Sequence, residues 1–243
     1  MYSTEIDGER IQFGTSGYLY RSNKLMFDRK TGTLWHQFRG VPALGPLVGS
    51  GLVLEVLPMT LTLWSDWLAE HPDTTILDLE TGIYPADRYK PEEKNDSAYY
   101  VYRHRPDTIF PVPERSADLS TKEQVFGLAF DDEARAYPLS LFQDKNVIND
   151  TLAGRNVVIF AAASGAGIRA YDSEDHAFTP SASSAGSSLV VILTDEDGVD
   201  WKTEENALVS LDGSDRTLEQ TPSRDSYWFG WYAFYPHTDI YTP

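Results

Sequence analysis

The chain has no cysteine. That excludes a disulfide framework, a thiolate metal centre and a cysteine nucleophile. Positive charge is scarce as well. Twenty Lys and Arg face 37 Asp and Glu, for a formal net charge of −17 over 243 residues, and only seven of the twenty cations are lysine. A surface of that sign repels a duplex or an anionic bilayer, so nucleic acid and membrane are not expected partners. Dense carboxylates with little lysine also keep a surface hydrated in salt, and salt adaptation is the matching expectation. No apolar run approaches the roughly eighteen residues of a membrane-spanning helix. The opening Met1-Tyr2-Ser3-Thr4-Glu5 has neither the basic stretch nor the apolar core of a secretory signal, so none is expected in this chain, and the compartment stays open. Sustained helical periodicity is missing, which argues against a helical bundle.

Present instead are frequent turn residues, 17 Gly and 14 Pro, and short strand-like runs. A repeat lies beneath them. Pro58, Trp64, Trp67, Pro72 and Thr74 are spaced by six, three, five and two residues, and so are Pro222, Trp228, Trp231, Pro236 and Thr238. Upstream, Gly32 stands three before Trp35 as Gly198 stands before Trp201, and Glu55 stands three before Pro58 as Glu219 does before Pro222. Two copies read as a duplicated domain and not as a solenoid. Tryptophans at i and i+3 share one face of a short helix, which the following proline ends. Gln124 to Leu139 and Asn146 to Phe160 each read as a hairpin. Leu79 to Arg115 has no period and reads as a linker, and Ser181 to Ser188 reads as a flexible loop.

The run Phe13-Gly14-Thr15-Ser16-Gly17-Tyr18-Leu19-Tyr20-Arg21-Ser22-Asn23, with Met26-Phe27-Asp28-Arg29, resembles the DUF3179 family, a domain of unknown function. So do Leu34-Trp35-His36-Gln37, Gly45-Pro46-Leu47-Val48-Gly49, Trp64-Ser65-Asp66-Trp67 and His71-Pro72-Asp73-Thr74, and later Ala134-Arg135-Ala136-Tyr137-Pro138-Leu139 and Val147-Ile148-Asn149-Asp150. The resemblance implies an opening unit with an Ala-Tyr-Pro-Leu strand, a Trp-His-Glu and a Cys-Pro-x-Cys-Gly ahead of the Phe-Gly-x-Ser-Gly run. In this chain the first copy begins only near Ile6, without that unit. The second copy keeps the unit but has Lys145 where the family's His falls, and Ala162 and Gly165 where its two cysteines fall.

The expected fold is therefore β-rich α+β: two tandem degenerate copies of a β-barrel-like or sheet unit, each with a short Trp-faced helix. Residues 1–78 form the first copy, lacking its opening unit, 79–121 the linker, and 122–243 the second copy. The five histidines have no metal-ligand spacing, so no zinc, iron or copper and no cofactor is expected, calcium being left open, and no catalytic residue is assigned. Ser16 lacks the full nucleophile-elbow pattern. Ser164-Gly165-Ala166-Gly167 lacks the lysine of a phosphate loop, and a tight turn is expected there. The carboxylates Asp195, Asp197 and Asp200 fail the calcium-loop frame at Asn206. A pocket, if one survives, should use Asp28, Arg29, Trp35, Gln37 and His71, the polar and amphipathic residues of the best-matched stretch. The functional expectation is a non-catalytic binding or structural module. It docks to a partner chain or a second copy through the N-terminal strand, Glu5 to Phe13, whose edge the missing unit leaves open. The alternatives are a small-molecule-binding or enzymatic domain with a pocket in the first copy, and one half of a split protein.

Overall fold

The computed structural model describes residues 1–144, 146–162, 164–181, 190–204 and 206–243. The N-terminal part opens with a small hairpin, β1 (Glu5–Ile6) against β2 (Glu9–Arg10). The main sheet of this half then runs β3 (Phe13–Tyr20), β4 (Asn23–Asp28), β5 (Leu34–His36) and β6 (Pro42–Leu44), antiparallel and in chain order. The two-residue turn between β3 and β4 holds Arg21 and Ser22 at φ 51° and 61°. A mirror-image turn of this kind matches strand twist but favours Asn-Gly, so Arg-Ser here is strained. Asp28 ends β4, and its carboxylate accepts from the Thr31 N–H at 2.5 Å, the Thr31 hydroxyl at 2.8 Å and Trp35 Nε1 at 2.9 Å. Trp35 is fully buried, with Phe13 edge-on against it at 5.9 Å.

In the C-terminal part a second sheet runs β12 (Thr179–Pro180), β13 (Ile192–Thr194), β14 (Asp200–Thr203), β15 (Ala207–Ser210) and β16 (Thr217–Glu219), also antiparallel and in chain order. Asp195 follows β13. Its carboxylate accepts from Trp201 Nε1 at 2.9 Å and from the Val199 N–H at 2.8 Å, and Phe178 stands edge-on to buried Trp201 at 5.8 Å. The cross-strand register agrees too: Trp35 pairs with Met26 and Trp201 with Leu193, each two residues before its aspartate.

The helices match as closely. The helix α1 (Trp64–Glu70) is capped by Leu63 at φ −72°, ψ 143° and by His71 at φ −128°, ψ 66°. The last helix, called α4 here (Trp228–Phe234), is capped by Tyr227 at −73°, 148° and by Tyr235 at −129°, 66°. Trp67 Nε1 donates to Thr74 Oγ1 at 2.9 Å, and Trp231 Nε1 to Thr238 Oγ1 at 2.8 Å. Between them lie a 3₁₀ turn (Ala86–Arg88), α2 (Tyr100–His104) and α3 (Leu141–Asp144).

One unit has no counterpart in the N-terminal part. The hairpin β7 (Gln124–Phe130) and β8 (Glu133–Pro138) is followed by the sheet β9 (Val147–Leu152), β10 (Arg155–Phe160) and β11 (Arg169–Asp172). Strand β17 (Arg224–Tyr227) pairs antiparallel with β7, and β18 (Asp239–Ile240) parallel with β8. The two hairpins fall where the sequence places them. Phe126, Leu128, Tyr137, Val157 and Ile159 form one core cluster, Val125 and Ala136 pack with Trp228 and Trp231 of α4 in a second, and Phe160, Phe178 and Trp201 belong to a third.

Several expectations need correction. The sheets are separate and none closes into a barrel among the described residues. Glu5 to Phe13 does not run as one open strand. It folds on itself in β1 and β2, and Ile11 is buried with its N–H on the Thr4 carbonyl. The loop expected at Ser181 to Ser188 lies, beyond Ser181, outside the described residues. Among the described residues no helix is long and apolar enough to cross a membrane.

Candidate functional site

The five residues expected to share a pocket are dispersed. Asp28 and Trp35 are consumed by each other inside the sheet. Burial works to raise the Asp28 carboxyl, but the hydrogen bonds from Trp35 and Thr31 outweigh it and hold the group below the usual carboxylate range. Arg29 is exposed, its guanidinium 5.3 Å from the Phe27 ring. Gln37 lines a cavity beside Met1 and Tyr2. His71 caps α1 and lies on the Trp67 ring at 4.1 Å, lining a different groove.

The side chains of the other motifs make local contacts. Ser16 Oγ donates to the Leu25 carbonyl at 2.6 Å. The Gly165 N–H donates to the Ala162 carbonyl and the Ala162 N–H to the Ala166 carbonyl, and β11 follows instead of a helix. Asp195 is held by Trp201. Among the described residues no group of three His, Asp or Glu could hold a metal ion.

What the structure does present is a partly covered element, α1, whose Asp66 accepts from the Ser164 hydroxyl at 2.9 Å while its tryptophans stay exposed. Six of the seven residues of α4 are buried, with Trp228 and Trp231 at 1% and 0% exposure. In α1 only Asp66 is buried, and Trp64 and Trp67 are 49% and 39% exposed. The physical difference is the β7–β8 hairpin. Trp231 lies flat on Gly127 of β7, so close that a Cβ there would stand 2.3 Å from the indole. The Trp228 N–H donates to the Glu123 carbonyl at 2.7 Å, extending the β17–β7 ladder into α4.

Around α1 the same edges are open. Thr60 to Leu63 stands where β17 stands, and the N–H and C=O groups of Thr60 and Thr62 have no backbone partner among the described residues. From the other half this segment receives the Gly167 N–H on the Leu61 carbonyl at 3.0 Å, and Arg169 Nε and Gln220 Nε2 on the Thr60 hydroxyl oxygen, each at 3.2 Å. Antiparallel ladders alternate, so with Trp228 facing β7, Ser226 and Arg224 face it and Asp225 faces away. By the same count Leu61 faces away, and the backbone edge at Thr60, Thr62 and Trp64 is open among the described residues. Ile76, counted from Thr74 as Ile240 is from Thr238, is 72% exposed, and Leu77 next to it 85%. Ile240, in β18, is half-buried against β8.

Sequence reading picked out the tryptophans but could not tell covered from bare, because both helices carry the same pattern. The family profile described as a protein of unknown function, DUF3179, matches residues 1–238. No curated protein and no solved structure matches the chain.

Proposed function

The chain belongs to the DUF3179 family, and we propose that it is a non-catalytic binding module, built of two tandem degenerate copies of one sheet unit, whose first copy docks onto a β-hairpin of another polypeptide. Support for the duplication comes from the paired Asp–Trp bonds, the matching cross-strand registers and the shared helix caps. It extends to the first residues. Tyr2 bridges Val56 as Tyr171 bridges Gln220, and the Leu57 N–H meets the Met1 carbonyl as the Thr221 N–H meets the Ala170 carbonyl.

The observation that carries the docking reading is the contrast between α1 and α4: one helix geometry, buried under a hairpin in one half and bare in the other. An open strand edge beside exposed indoles is the template for β-strand addition, in which main-chain bonds supply affinity and side-chain fit supplies specificity. The partner's chemistry follows from the covered half. It is an antiparallel hairpin whose first strand has glycine opposite Trp67, since any side chain there would collide with the ring.

A peptide spanning Lys122 to Ser140, the chain's own hairpin, is the probe. Added to the whole protein, it should bind and shift the emission of Trp64 and Trp67 to the blue. Trp67→Ala, at an exposed position, should abolish binding while leaving the circular dichroism unchanged, and a peptide carrying Gly127→Val should not bind. Failure of the native peptide to bind, or equal binding by the two peptides, would overturn the docking reading.

A further inference from the structure

We infer that the cavity under β17 is a binding site for a small organic cation carrying N–H donors, with Asp225 as its counter-charge. The cavity has a volume of about 570 Å³. Aromatic rings wall it: Phe38 from the first half, Tyr102 from α2, and Tyr227 and Phe229 at the start of α4. Three polar side chains that lack partners line it. Asn23 Oδ1 and Ser226 Oγ are buried with no hydrogen bond. Among the described residues no hydrogen bond or ion pair reaches the Asp225 carboxylate, and burial alone acts on its proton affinity.

The nearby cations are already committed. Arg103 pairs with Glu92, Arg21 donates to the Ala233 carbonyl, and Arg224 donates to the Phe38 and Ser223 carbonyls and the Tyr2 hydroxyl. Asp225 is half-buried, and a carboxylate that has lost part of its water without gaining a partner is costly to keep charged. Such groups gather at functional sites.

The molecule carries its own control, which rests on the duplication proposed above. Asn23 stands five residues before Asp28, and the residue five before Asp195 is Val190. Asp225 stands three before Trp228, and the residue three before Trp64 is Leu61. Apolar side chains serve at both corresponding places, so this sheet-and-helix unit does not need the carboxylate or the amide in order to fold. The strained turn at Arg21 and Ser22, which delivers Asn23 to the cavity, is a further cost at the same spot. Acceptors without donors, a charge without a counter-charge and aromatic walls together describe an ammonium or amidinium group on a small apolar body.

Benzylammonium is the probe, and benzyl alcohol, of nearly the same shape, its neutral control. Titrated calorimetrically into the whole protein in about 0.3 M salt, which screens the acidic surface far more than a buried pair, benzylammonium should bind at least about tenfold more tightly than benzyl alcohol. Asp225→Asn should remove that preference, and Asn23→Val, the residue of the other half, should weaken binding of the cation. Retained circular dichroism and an undiminished melting temperature in Asp225→Asn would assign its loss to the site. Equal binding of the two probes, no binding of either, or a cation preference unchanged in Asp225→Asn would overturn the inference. None of these outcomes depends on whether a hairpin peptide docks at α1, so the two readings fail separately.

Discussion

Replacing the half-buried Asp225 should make the protein more stable, the reverse of what most substitutions do. Burial pushes this carboxyl up to about 6 from an ordinary 3.8. A shift of about two units corresponds to about 3 kcal/mol between the two protonation states. The sign follows from proton binding. Between pH 3.8 and about 6 the folded chain holds a proton that the unfolded chain has lost, so stability falls as pH rises through that window and stays low above it. Asp225→Asn removes the charge but leaves an amide whose burial costs about 1–2 kcal/mol. The net gain at pH 7.5 is then about 1–2 kcal/mol, or roughly 2–8 °C in melting temperature for a chain of this size. Asp225→Leu, with the residue of the other half, should gain more. Thermal melts of wild type and both variants at pH 7.5 and pH 4 decide the matter. The gain should be present at pH 7.5 and vanish at pH 4, where wild-type Asp225 is protonated in the folded state. A variant less stable than wild type at pH 7.5, or a gain of equal size at the two pH values, would refute the reasoning.

Asp28→Ala strips the partner from Trp35 Nε1 and from the Thr31 N–H, and should cost about 3 kcal/mol in urea unfolding, with Asp28→Asn recovering part of it. That loss should shrink in acid, because the folded-state pKa of Asp28 is depressed and its contribution fades as pH falls through it. Gly127→Ala sets a methyl 2.3 Å from the Trp231 ring and should cost about 1–3 kcal/mol or more, while Gly198→Ala, with open space but φ 81°, should cost only about 1 kcal/mol. If the net charge of −17 reflects adaptation to salt, the melting temperature should climb well beyond the point at which screening saturates, and a plateau by about 0.3 M would leave the surface simply acidic.

Sequence alone was enough for the features that depend on local spacing. Tryptophans at i and i+3 followed by proline make a short helix wherever they occur, and α1 and α4 lie on both such runs. Alternating runs broken by Asp131-Asp132 and Ala153-Gly154 make hairpins, and β7–β8 and β9–β10 are those hairpins. The absence of cysteine settled which chemistry the chain lacks before any fold was known. Tertiary structure decided what each side chain meets. Asp28 looked like a pocket residue because it is polar and sits among aromatics, but only the return of β5 shows that its partner is the Trp35 indole. His71 and Gln37 lie in one motif-rich stretch, yet line different cavities. Nothing local marks Asp225, because Ser223-Arg224-Asp225-Ser226 reads as a solvated segment. Its burial comes from Asn23, Phe38 and Tyr102, more than a hundred residues away in the chain. For the same reason no local pattern could say which tryptophan helix is covered. Helix formation is decided within a few residues, whereas burial is decided by whichever distant segment arrives to pack against it.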